Sequence, residues 1–94
     1  MNEILMRVYA NEGLEVVKMN FHTKGLRGLM HANVIGISET LSEDEELETL
    51  AHELAHHYLH YDKGNTIESP LHDAYEEQAE RASKMVLDIL KVIV

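Results

Sequence analysis

His52, Glu53 and His56 lie inside the run TLAHELAHHYLH, Thr49 to His60, where four histidines and one glutamate interrupt an apolar stretch. If the run is helical, residues 52 and 56 stand one turn apart on the same face. Two imidazole nitrogens can then reach one ion, each at the roughly 2.0–2.1 Å that zinc takes. Glu53 sits beside them, where a carboxylate can hold a water molecule and accept its proton. Zinc lowers the pKa of a bound water to about 7, so the pattern HExxH suits metal-assisted peptide hydrolysis.

A catalytic zinc takes three protein ligands and keeps one position open. The third donor is sought in YEEQAERAS, Tyr75 to Ser83. Glu76 and Glu80 are one turn apart, so both can face the first helix. Glu76 is assigned as the third ligand, giving a metal set of His52, His56 and Glu76 for one Zn2+, with Glu53 as the catalytic base. Glu80 is expected to accept the N–H of a ligating histidine and fix its tautomer. Glu77 is the rival ligand; its other reading is a solvated pair with Arg81 at i, i+4. His57 points round the helix, toward the surface or behind the ligands. His60 lies one turn further along the ligand face, as a neighbour or a spare donor. His22, His31 and His72 follow no pattern and read as structural or exposed. Tyr58, Tyr61 and Tyr75 read as the edge of an amphipathic core, and no residue is singled out to stabilise an oxyanion.

The elements that must hold these groups are legible around them. SEDE, Ser42 to Glu45, is a capping box, and the acids Glu43 to Glu46 suit the positive end of a helix dipole. Leu47, Leu50, Ala51, Leu54, Tyr58 and Tyr61 recur at helical spacing, predicting a helix over 42–61. DKGNTIES follows as a loop, with its turn at Gly64. Ser69-Pro70 opens the last helix, with Ser as cap and Pro at the first position. Leu71, Tyr75, Ala79, Ala82, Val86, Ile89 and Leu90 form its buried stripe, which runs to about Val92. Upstream, Ile4, Leu5, Val8 and Tyr9 mark a helix over 2–11, ended by a left-handed turn at Gly13. Leu14 to Phe21 reads as a strand. Leu29-Met30-His31 and Val34-Ile35-Gly36-Ile37 read as two short strands joined tightly at Ala32-Asn33. Strands collected before the two long helices imply an α+β fold, with a small, mainly antiparallel three-stranded sheet.

Composition bounds the partners. The 94 residues fit one domain, 1–94, whose small core makes a bound metal matter for stability as well as chemistry. Net charge is −9 with eight scattered basic residues, which argues against nucleic acid. No cysteine is present, which removes disulfides and thiolate zinc sites and is consistent with a reducing cytoplasm. The N-terminus lacks the apolar core of a secretory signal, and no apolar run approaches the roughly 18 residues that span a bilayer.

The run KGLRGLMHANVIGISETLSEDEELETLAHELAHHYLH, followed by YEEQAERASKMVLDIL, resembles the ImmA/IrrE family of small zinc metallopeptidases from about Leu14 to Leu90. Members carry a Gly-Leu element before a short strand, then HELGHxxLH, then a helix of the type ExEAxxFA. The resemblance implies a reduced zincin-like fold, His52 and His56 as ligands, Glu53 as base, and Glu76 as the glutamate ligand on the second helix. Glu80 falls where Asn or Asp often stands. Ala55 replaces the usual Gly, Gln78 the second Glu, and Ala82-Ser83 the Phe-Ala pair. Many members are encoded by phages and mobile elements beside a helix-turn-helix repressor, which they cleave.

Two functions follow as expectations. One is a zinc endopeptidase cutting a protein partner, with the substrate extended along a strand edge within Leu29 to Ile37. The other is a regulatory module that uses the same helix pair to recognise a repressor or toxin without cutting it. A purely structural zinc would need a fourth protein ligand such as His60.

Overall fold

The side chain of Asn2 accepts a hydrogen bond from the Leu5 backbone N–H at 2.9 Å and so caps the first helix, α1, Glu3–Asn11. The computed structural model describes residues 2–22, 25–60 and 72–93. At the far end of α1, Gly13 takes φ +70°, its N–H reaches the Ala10 carbonyl, and the Leu14 N–H reaches that of Tyr9 at 2.9 Å. This paired closure needs a left-handed residue, which glycine adopts without a Cβ penalty. It also turns Leu14 in beside Tyr9, and both enter the core.

Three strands follow: β1, Glu15–Met19, β2, Gly28–His31, and β3, Val34–Ser38. Their order is β1-β3-β2. β3 pairs antiparallel with β2, from Gly28 opposite Ile37 to His31 opposite Val34, and parallel with β1. The sheet is therefore mixed, with one parallel and one antiparallel pairing, where a mainly antiparallel one was expected. The reason is hydrophobic: Ile35 and Ile37 are fully buried, so β3 takes the centre and separates β1 from β2. The expected edge over Leu29 to Ile37 is corrected in the same way. β3 is paired on both sides, so only β2 offers a free edge there. Ala32-Asn33 does form a two-residue connection, with Ala32 at φ 54°.

Two long helices follow, of which the first packs on the sheet and the second packs on the first. The first, α2, Glu43–His60, starts at the expected capping box: Ser42 N–H donates to Glu45 at 3.0 Å, and Glu45 N–H donates to Ser42 Oγ at 3.2 Å. The second, α3, His72–Ile93, packs along α2. Leu5, Tyr9, Leu14, Ile35, Ile37, Leu50 and Leu54 form the core, with Met30, Leu47 and Val86 against it. Two residues leave their expected stripes. Tyr58 lies beyond the core beside Glu12, and Ile89 is half exposed on α3. Expectations for Tyr61, Gly64, Ser69, Pro70 and Leu71, and for the side chains of His60 and His72, fall outside the described residues. Among the described residues no helix is long and apolar enough to cross a membrane.

Candidate metal centre

Thr49, Leu50, Ala51, Leu54 and Ala55 turn inward from α2, which fixes the helix rotation. His52 and His56 then fall on the flank that faces α3, and Glu53 on the flank that faces β2. On α3 the buried Ala79 sits between Glu76 and Ser83, and its small side chain lets the two helices approach. Glu76 is thereby brought to the histidine pair.

The three side chains converge on one point. Nε2 of His52 and Nε2 of His56 are 3.1 Å apart. Glu76 straddles them, with Oε2 at 3.2 Å from His52 and Oε1 at 3.1 Å from His56. The rings meet edge to face, at 75° with centroids 4.7 Å apart. Four donors at about 2.0–2.1 Å around a tetrahedral ion stand roughly 3.3 Å from one another. The observed spacings fit that polyhedron, and His52, His56 and Glu76 could together hold a metal ion. Glu76 remains 37% exposed, so the cluster is open to solvent.

Glu53 lies beside the cluster, half-buried on the side of α2 that faces the start of β2. Burial raises its pKa; the neighbouring Glu76 raises it further, and His52 opposes the rise. Below it, the Tyr9 hydroxyl donates to the Leu50 carbonyl. Burial pushes the Tyr9 pKa up, with the charge of Glu53 adding to the rise. A cleft of about 480 Å³ runs from His52 and Glu53 past Gly28, Thr49 and Ser83 to Lys84.

The remaining acids and histidines separate cleanly. Glu77 turns to solvent and pairs with Arg81 at 2.9 Å. Glu80 lines the cleft with His52, but no hydrogen bond joins the two, so the expected tautomer-fixing bond is absent among the described residues. His57 packs away from the cluster, its Nε2 at 3.6 Å from Glu12 at the end of α1. His22 and His31 are exposed, and Tyr75 is partly buried. Sequence reasoning passed over Gly28 and the nearness of Tyr9 to Glu53. A glycine opening a strand is a signal of close backbone approach, which was available for Gly28. Nothing local marks Tyr9, which meets a helix 41 residues away.

A peptidase family model described as the IrrE N-terminal-like domain matches residues 10–87. No curated protein and no solved structure matches the chain.

Proposed function

The chain belongs to the IrrE N-terminal-like peptidase family, and from that premise we propose that it is a zinc-dependent endopeptidase acting on a protein substrate. The observation that supports this most is the convergence of His52, His56 and Glu76 beside the half-buried carboxylate of Glu53. When bound there, zinc would polarise the scissile carbonyl and acidify water.

The chain's own residues supply the rest. His52, His56 and Glu76 hold the ion and leave the cleft side open. Glu53 takes the proton of the attacking water and returns it to the departing amine. Its partial burial raises its pKa, which makes it a stronger base toward that proton than an exposed carboxylate. The free edge of β2 accepts the substrate as an added strand through main-chain hydrogen bonds, with the scissile bond lying over α2. Side chains flanking that bond enter the cleft beside Gly28 and Thr49. The family resemblance supports a helix-turn-helix repressor of a phage or mobile element as the substrate and the cytoplasm as the setting.

The test is incubation of the zinc-loaded chain with a candidate repressor, followed by mass spectrometry of the products. Wild type is expected to yield two defined fragments. Glu53→Gln is expected to retain zinc and cut at least roughly 100-fold more slowly. If Glu53→Gln relieves repression as well as wild type, the chain acts as a non-proteolytic binding module instead.

A further inference from the structure

α3 carries a second apolar stripe that its packing on α2 leaves uncovered. Met85, Ile89, Val92 and Ile93 are 58%, 49%, 87% and 61% exposed. Residues at i, i+4 and i+7 share one face of a helix, so 85, 89 and 92 form a continuous seam. An open groove of about 540 Å³ runs along this single helix, bordered by Arg81, Lys84 and Asp88. Contiguous exposed apolar patches larger than a few hundred Å² mark association surfaces.

The charges on its flank decide what fits. Arg81 is already paired with Glu77 at 2.9 Å. Lys84 and Asp88 stand one turn apart on the same side of the seam and make no ion pair among the described residues. A basic partner would oppose Lys84, and an acidic one would oppose Asp88. An anionic membrane would likewise oppose Asp88. A second copy laid antiparallel satisfies both. Reversing the helix brings the same flank of the two copies together. A twofold axis near residue 87 then sets Met85 against the partner's Ile89, and Lys84 against the partner's Asp88, each contact made twice. A parallel pair would bring opposite flanks together and lose both ion pairs.

We infer that this face of α3 is the interface of an antiparallel, twofold-symmetric homodimer. The seam spans little more than two helical turns, so the pair belongs with weak, transient interfaces.

Sedimentation of the full chain over about 1–500 μM tests this, a range suited to weak self-association. The weight-average mass is expected to rise toward twice that of the monomer. Ile89→Glu, at an exposed position, keeps its helical signal and thermal midpoint but weakens the dimer more than about tenfold, since it buries a charge at the seam. Lys84→Glu and Asp88→Lys each weaken association, and the double exchange restores it to within about threefold of wild type. A chain that stays monomeric at the highest concentration, whether or not it binds phosphatidylserine vesicles, overturns the inference. So does a dimer indifferent to Ile89→Glu, or a double exchange that recovers nothing.

Discussion

The backbone of Gly28 rests against the side chain of Glu53: a Cβ at residue 28 would lie 3.6 Å from Oε1 of Glu53 and 2.7 Å from Cγ2 of Thr49. Thr49 cannot swing aside freely, because its hydroxyl is bonded to the Glu45 carbonyl at 2.8 Å. Gly28→Ala is therefore expected to push β2 off α2, costing about 1–3 kcal/mol in urea denaturation. Peptide cleavage should fall with it, while zinc stoichiometry stays at the wild-type value, since no ligand moves. An alanine variant of wild-type stability would show that the strand yields without resistance and that the close approach constrains nothing.

Glu76 completes the cluster, whereas Glu77 only pairs with Arg81 on the surface. Glu76→Ala is expected to lose bound zinc by elemental analysis, and Glu77→Ala to retain it. Chelator should lower the melting temperature of wild type and of Glu77→Ala, because a ligand that binds only the folded chain stabilises it, by about 2.7 kcal/mol at a hundredfold excess over its dissociation constant. The Glu76→Ala melt should ignore chelator. Full zinc occupancy in that variant would remove Glu76 from the ligand set.

Acid should expose the work of the capping box. Hydrogen bonds from the Ser42 backbone and from Arg27 hold the Glu45 pKa down at about 2. A carboxylate whose folded value is depressed adds stability above its unfolded pKa of about 4.3, and that stability drains away as pH falls toward the folded value. The melting-temperature gap between wild type and Glu45→Gln is thus expected to be constant near neutrality, shrink below about pH 4.3 and close near pH 2. A gap that persists unchanged at pH 2 would assign the difference to packing rather than to ionisation.

Ala32 adopts φ 54° in the turn between β2 and β3, a left-handed conformation that costs an L-residue about 1–2 kcal/mol. Ala32→Gly relieves this but frees the unfolded chain, which offsets about 0.4–1 kcal/mol. The expected net gain is on the order of 0.5 kcal/mol, read as a higher denaturation midpoint at unchanged slope.

Much of the molecule is legible in the sequence, for local reasons. The start of α2 follows from Ser42 and Glu45 satisfying each other's backbone donors, a matter of four consecutive residues. The end of α1 follows from Gly13. The histidine pair follows from helical periodicity alone, since 52 and 56 meet on any helix. The α+β order needed only the succession of strand and helix patterns.

What the chain order could not reveal depended on packing between distant segments. That β3 holds the middle of the sheet comes from the burial of Ile35 and Ile37, which made one pairing parallel and put β1 and β2 at the two edges. That Glu76 reaches the imidazoles, and Glu80 does not bond them, depends on the rotation of α3 against α2, set by the small buried Ala79 and Ser83. Ile89, periodic with the buried stripe, ended in solvent because α3 is wider in apolar surface than α2 is able to cover. Spacing along one helix is fixed by backbone geometry and so is written in the sequence. The rotation of one helix against another is a balance of many weak contacts, and only the folded structure resolves it.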